Sequence, residues 1–99
     1  MRSPEKCTSI EEIRAEIDRL DREVIAAFGQ RFAYVKAAAQ FKTSEAGVKA
    51  ADRFAAMLQQ RREWAAEEGL NPDVIEQLYR DLVTHFIKEE LKQWQNKTD

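Results

Sequence analysis

The chain contains few of the residues that break helices, form disulfides or bind metals. Its 99 residues include three glycines, two prolines, one cysteine and one histidine. Because Cys7 has no second cysteine to pair with, the sequence excludes an intrachain disulfide and a cysteine-based metal site. His85 has no second imidazole beside it, and a lone histidine is more often a packed or surface side chain than a metal ligand. We therefore expect no metal site.

Long hydrophobic runs and an excess of charge are also lacking. No segment approaches the roughly 18 consecutive apolar residues that cross a bilayer, and the first residues lack the apolar core of a secretory signal. The formal net charge is only −2, whereas binding to nucleic acid phosphates needs a basic face. We expect a soluble, cytoplasmic protein that binds neither nucleic acid nor membranes.

Helix-forming residues dominate what is present. Charged residues make up 34% of the chain, and alanine, leucine and glutamine are frequent, which is typical of an all-α protein. Ser9 and Glu12 form a capping-box pattern that predicts the start of a first helix. Its apolar period continues to about Lys42, which gives roughly 34 residues and about 50 Å at 1.5 Å per residue.

Two shorter helices are predicted after the first. The segment 43–50 mixes small residues with a glycine and is expected to be a mobile connection. A second helix should cover 51–68 and end at Gly69, and Pro72 should open a third helix that extends to about Gln95. We expect one all-helical domain that spans residues 1–99.

The first helix is longer than a compact domain of this size is wide. Another chain would have to cover its far end, so we expect an intertwined homodimer. The alternative is a monomeric three-helix bundle in which the first helix is frayed.

Three charged residues occur at positions where the helical period calls for apolar side chains. The apolar stripe of the first helix comprises Ile13, Ile17, Leu20, Val24, Phe28, Val35 and Ala38. Arg31 and Lys42 project into this stripe, and Glu90 falls within the apolar arc of the third helix. Burying an unpaired cation is unfavourable by several kcal/mol, so each cation needs an anion, either in a structural salt bridge or in a bound ligand. Glu90 should be either paired with a cation or kept protonated by desolvation.

The spacing of the two cations suits a small dianion. Arg31 and Lys42 are three helical turns apart, which separates their Cα atoms by about 16 Å and leaves room between the side-chain heads. The sequence shows no nucleophile beside a base, no cluster of metal ligands and no phosphate-binding loop. The chemistry that remains is to hold and polarise a substrate that reacts on its own.

Three segments carry a resemblance to a known family. They are EKCTSIEEIRAEIDRLD, YVKAAAQFKTSEA and FIKEELKQW. With the order of one long and two shorter helices, they resemble the all-helical chorismate mutase family. Within that family they are most similar to the lyases that split isochorismate into salicylate and pyruvate in siderophore pathways.

The resemblance implies an intertwined homodimer with two equivalent sites and no cofactor. Arg14 matches an arginine that reaches the substrate from the partner chain, and Arg31 and Lys42 match the two cations of the same chain. Glu90 matches a third-helix amide or carboxyl, for which the lyases carry glutamine. In the implied reaction, Arg14 and Arg31 orient the two carboxylates of isochorismate, and Lys42 stabilises negative charge on the ether oxygen and carboxylate.

One region departs from the mutases of the family. Those enzymes carry an acidic residue and an arginine at the start of the second helix, where this chain has Ala51, Phe54 and Ala55. Asp52 and Arg53 are one position away. This departure favours the lyase reaction over the alternative, conversion of chorismate to prephenate. A non-catalytic helical dimer, or a module that binds an aromatic acid without turning it over, is the alternative of a different class.

Overall fold

The fold is all-helical, as the composition predicts. The computed structural model describes residues 3–97, apart from the side chain of Lys97, and contains no strand within that range. The helices are α1 (Ile10–Ala38), α2 (Glu45–Lys49), α3 (Ala51–Glu67) and α4 (Pro72–Lys97), with 3₁₀ turns at Pro4–Lys6 and Ala39–Phe41. The predicted second and third helices are therefore α3 and α4. None of the described helices has the length and apolarity needed to cross a membrane.

The chain divides into two compact units, one running to Ala33 and the other beginning at Tyr34. In the first unit, the predicted capping box starts α1. The Ser9 hydroxyl oxygen accepts a hydrogen bond from the Glu12 backbone N–H at 3.2 Å. The Glu12 carboxylate in turn accepts one from the Thr8 backbone N–H at 2.7 Å. The first bond satisfies an N–H group that the first turn of a helix leaves without an intrahelical partner, and the second ties Glu12 to the residue that precedes the cap.

The apolar stripe of α1 is exposed along most of its length. Every residue from Ile10 to Ala38 is at least partly accessible to solvent. Six large aliphatic side chains are between 39% and 63% exposed: Ile10, Ile13, Ile17, Leu20, Val24 and Ile25. A helical period this regular normally marks a buried face. Within the described chain, however, the apolar stripe of α1 stays largely exposed.

The end of α1 and the connection that follows differ from the prediction. The α-helix stops at Ala38 rather than near Lys42, because the last residues tighten into a 3₁₀ turn whose bond joins the Lys42 N–H to the Ala39 carbonyl. The segment 43–50 contains α2, in which the Ser44 hydroxyl caps the Gly47 N–H at 3.0 Å. Ala50 separates α2 from α3 in the left-handed conformation, with φ of 42°, where a Cβ atom is sterically unfavourable.

Helices α3 and α4 form an antiparallel pair whose connection follows the predicted signals. Gly69 has a φ of 76°, and its N–H donates to the Ala66 carbonyl while the Leu70 N–H donates to Ala65, which is a Schellman motif. The Asn71 side chain then accepts hydrogen bonds from the first turn of α4. These local signals are strong because glycine readily adopts a positive φ.

The core of the second unit lies between α3 and α4. Met57, Leu58 and Val83 form its centre, and Phe54, Tyr79 and Ile87 pack against them. The sequence also predicts Trp64, Val74 and Leu78 on buried faces, but all three are more than 40% exposed. The apolar arcs of both helices are broader than the surface that they bury against each other, and these three residues lie outside the contact.

Candidate functional site

Lys42 is positioned by the end of the first long helix. It follows the 3₁₀ turn Ala39–Phe41 and leaves it in an extended conformation, with φ of −87° and ψ of 139°. Ala39 is 1% exposed, and its turn packs against α4. Because the side chain of Ala39 is only a methyl group, the turn can approach α4 closely, and this brings the backbone of Lys42 against α4.

Glu90 lies on the buried face of α4. It is 6% exposed, and Val83 and Phe86, seven and four residues earlier on the same face, are also buried. The prediction that a carboxyl lies within the apolar arc is therefore confirmed. Because ionised glutamates are rarely buried without a partner, the surroundings of this carboxyl carry information about function.

The structure brings Lys42 and Glu90 together. The Lys42 ammonium nitrogen lies 3.8 Å from Glu90 Oε2, a distance that permits attraction between charges but exceeds that of a hydrogen bond. Glu90 Oε2 is buried and has no hydrogen-bond partner among the described residues. Burial raises the pKa of the Glu90 carboxyl above its ordinary value, and the positive charge of Lys42 opposes this shift without cancelling it. The site thus contains a buried carboxyl group with a raised pKa beside a cation.

The side chain of Lys42 also contacts the segment that follows it. Its ammonium donates a hydrogen bond to the Gly47 carbonyl in α2 at 3.1 Å. A Cβ atom at position 47 would lie 3.3 Å from the Ser44 hydroxyl oxygen, tighter than an ordinary contact. The ammonium therefore lies between an acceptor on α2 and the carboxyl group on α4, and rotation of its long side chain would move it between them.

Arg14 and Arg31, the other two predicted site residues, belong to the first unit. Both lie on α1, where Arg14 is exposed and Arg31 is half-buried. The partial burial of Arg31 agrees with its position in the apolar stripe. Their roles stay predictions.

Two contacts to Lys42 were not predicted from the sequence. Trp94 falls in the apolar period of the third helix, and its indole N–H donates to the Lys42 carbonyl oxygen at 3.0 Å. Gly47, read as part of a mobile connection, offers its carbonyl to the ammonium. Trp94 follows Glu90 by four residues and so shares its face of α4, a signal that could have indicated the first contact.

No metal-binding cluster is formed by the described residues. Among residues 3–97, no group of three or more histidine, cysteine, aspartate or glutamate side chains is arranged to hold a metal ion. The Lys42–Glu90 pair contains neither a thiol nor a hydroxyl nucleophile. Its groups are suited to donating hydrogen bonds and stabilising negative charge on an oxygen.

Comparison with known families and proteins gives consistent results. Residues 13–91 match the family described as chorismate mutase type II. The isochorismate pyruvate lyase of Pseudomonas aeruginosa is 45% identical over 94 residues, which cover 95% of this chain and 93% of that protein. The T-protein of Haemophilus influenzae is 35% identical over 82 residues, which cover 82% of this chain but 21% of that protein. The first similarity spans nearly the whole of both chains, whereas the second concerns one part of a longer protein.

Proposed function

Because this chain belongs to the type II chorismate mutase family, we propose that it is an isochorismate-pyruvate lyase, an enzyme that cleaves isochorismate into salicylate and pyruvate. The observation that carries the proposal is the similarity to a lyase over nearly the full length of both chains. The Lys42–Glu90 pair supports it, because this cleavage needs groups that stabilise charge on an oxygen rather than a nucleophile. We further propose that residues 1–99 act as one functional domain.

The cleavage occurs in one pericyclic step. The bond between a ring carbon and the ether oxygen breaks, and a ring hydrogen moves to the methylene carbon of the enolpyruvyl group. The ring becomes aromatic salicylate, and the departing fragment becomes pyruvate. Because electron density gathers on the ether oxygen as this bond breaks, a positioned cation or hydrogen-bond donor accelerates the step.

We assign these roles to the two residues that lie together. The Lys42 ammonium is a point charge on a flexible stem and turns from the Gly47 carbonyl towards the ether oxygen and the neighbouring carboxylate. Glu90, whose pKa is raised by burial, acts as a protonated acid and donates a hydrogen bond to a substrate oxygen. Arg14 and Arg31 bind the two carboxylates, for which the guanidinium fork is suited, and thereby hold the substrate in a reactive conformation.

The competing reaction of the family, conversion of chorismate to prephenate, is expected to be slower. The two substrates carry their ring hydroxyls on different carbons, and the mutases contact theirs through charged residues at the start of the second helix. In this chain the corresponding positions are Ala51, Phe54 and Ala55, while Asp52 and Arg53 are exposed. At matched concentrations, absorbance assays should show salicylate forming from isochorismate faster than prephenate from chorismate. Faster prephenate formation would favour the mutase function, and turnover of neither substrate would favour a binding module.

We also propose that the active form is a homodimer in which Arg14 acts on the partner's site. The exposed aliphatic side chains of α1 support this proposal, because an apolar surface of this extent usually marks an interaction site. Arg14 is exposed on the same helix and is therefore accessible to a second chain.

A mixing experiment tests this arrangement. Arg14→Ala and Lys42→Ala chains should each have little activity alone, but each heterodimer would contain one site with both native residues and one site with neither. Random exchange makes half of the dimers hybrid, so about one quarter of all sites should be restored, measured as salicylate formation.

Arg31→Ala supplies the matched control for this experiment. If Arg31 and Lys42 serve the same site from one chain, mixing Arg31→Ala with Lys42→Ala restores no complete site and no activity. Heterodimer formation should be verified by mass spectrometry of differently tagged chains. Proven heterodimers of Arg14→Ala and Lys42→Ala that remain inactive would show that Arg14 does not act across the interface.

A further inference from the structure

Trp94 connects the last long helix to the residue that follows the 3₁₀ turn after α1. It lies one turn beyond Glu90 on α4, and its indole N–H donates to the carbonyl oxygen of Lys42 at 3.0 Å. The two residues are 52 positions apart in sequence, so the bond fixes tertiary structure rather than a local turn. One face of α4 therefore supplies both a carboxyl near the Lys42 side chain and a donor to the Lys42 backbone.

This bond restrains Lys42 at the point where regular structure ends. The N–H of Lys42 donates to Ala39 at 3.2 Å, while its carbonyl accepts from Trp94. Both backbone polar groups of the residue are thus held, although its conformation is extended and the next two residues are not helical. The Cα atom from which the Lys42 side chain extends is thereby restrained relative to Glu90 on α4.

We propose that Trp94 is a positioning residue for the reaction and acts through Lys42. The inference rests on the proposed function, in which the Lys42 ammonium stabilises charge on the ether oxygen. Because the ammonium is attached to the backbone through the Lys42 side chain, a shift of the Lys42 Cα atom also shifts the ammonium. A displacement of about 1 Å in a reacting arrangement lowers rates by up to about 100-fold. Trp94 prevents such a displacement by holding the Lys42 carbonyl against α4.

The substitution Trp94→Phe isolates the hydrogen bond from the packing of the ring. Phenylalanine keeps an aromatic side chain in the half-buried position but has no N–H to donate. We expect kcat to fall about tenfold while KM changes by less than about threefold, because the lost restraint affects the geometry of the reacting complex. The thermal unfolding midpoint and circular dichroism spectrum should establish that the variant folds.

Trp64→Phe is the matched control. Trp64 lies on α3, is 46% exposed, and stacks with the Arg61 guanidinium through its ring face. This substitution removes the same indole N–H at a position with no role in the proposed site, so kcat should stay at the wild-type value.

A double variant separates positioning from general stability. If Trp94 acts through the Lys42 side chain, Trp94→Phe should lower kcat about tenfold in the wild-type background but less than about twofold in the Lys42→Ala background. A purely structural tryptophan would produce the same factor in both backgrounds.

The hydrogen bond itself can be observed in nuclear magnetic resonance spectra. Because the Trp94 indole N–H donates to the Lys42 carbonyl, its proton should exchange with solvent more slowly than that of Trp64.

Each outcome bears on one proposal. Equal losses in the two backgrounds, a Trp94→Phe variant with the kcat of Trp64→Phe, or equally fast exchange of the two indole protons would overturn the inference while leaving the lyase function in place. Wild-type protein that forms no salicylate from isochorismate would instead overturn the proposed function, whatever the exchange rates show.

Discussion

Lys42→Ala is expected to lower kcat by about 30- to 900-fold, equivalent to about 2–4 kcal/mol of transition-state stabilisation, with a much smaller change in KM. The ammonium is the cation that the structure places beside the buried carboxyl, and the reaction develops charge on the ether oxygen as the bond breaks. Alanine would leave that charge without the group that we propose stabilises it. Steady-state rates of salicylate formation measure both parameters.

Lys49→Ala is a suitable control for this substitution. Lys49 is exposed at the end of α2 and pairs with Glu45 at 3.1 Å, so its removal deletes a nearby positive charge outside the proposed site. Its kinetics should match those of the wild type. If Lys42→Ala instead kept its kcat and showed only a raised KM, Lys42 would contribute equally to ground-state and transition-state binding, and its assigned role would be wrong.

Glu90 is expected to give the enzyme a loss of activity at alkaline pH. A carboxyl must carry its proton to donate a hydrogen bond, so activity is present below the raised pKa and is lost as the pH rises through it. Bound substrate should raise the pKa further, since its carboxylates add negative charge and take up the positive charge of Lys42 that now opposes the shift. The alkaline limb of kcat, which reports the complex, should therefore lie at higher pH than that of kcat/KM, which reports the free enzyme.

Two substitutions at position 90 test this assignment. Glutamine donates a hydrogen bond at every pH, so Glu90→Gln should retain activity and remove the alkaline limb. Below the alkaline limb of the wild type, Glu90→Ala should be about 100-fold lower in kcat, comparable to the loss of a donor to a developing anion, and it should show no alkaline limb of its own. Glu89→Gln provides the control, because Glu89 is the neighbouring carboxyl and pairs with Lys92 at 3.3 Å.

The opposite result would give Glu90 a different role. If wild type and Glu90→Gln share one pH profile, Glu90 is not the titrating group. The carboxyl would then serve as the ionised partner of Lys42 in a structural ion pair.

The helices that the sequence predicted best are those whose ends carry local signals. Gly69 and Pro72 mark the turn between α3 and α4 because of their own backbone preferences, and the structure confirms both. The helix α2 was missed because five residues are too few to show a period. The 3₁₀ end of α1 was missed because no glycine or proline marks Ala39–Phe41.

The sequence could identify a site residue where a charged side chain interrupts the apolar pattern of its own helix. Glu90 could be identified because a carboxyl interrupts an apolar arc, a pattern visible within α4 alone. Its distance to Lys42 and the bond from Trp94 depend on how α4 packs against the 3₁₀ turn Ala39–Phe41, and no local pattern encodes that register. The prediction that Trp64 is buried was wrong for a related reason. Trp64 follows the apolar period of α3 but lies beyond the surface that α4 covers.

The hydrogen bond from Lys42 to Gly47 has a thermodynamic consequence for the proposed enzyme. In the free protein the Gly47 carbonyl competes with the substrate for the ammonium, and a hydrogen bond to a charged group contributes about 1.5–3 kcal/mol. That internal bond must be exchanged when isochorismate binds, so the ground-state complex gains little from Lys42. The transition state, with more charge on the ether oxygen, gains more. In the mechanism that we propose, this resting contact keeps Lys42 from tightening substrate binding uniformly, so that Lys42 contributes mainly to the step in which the bond breaks.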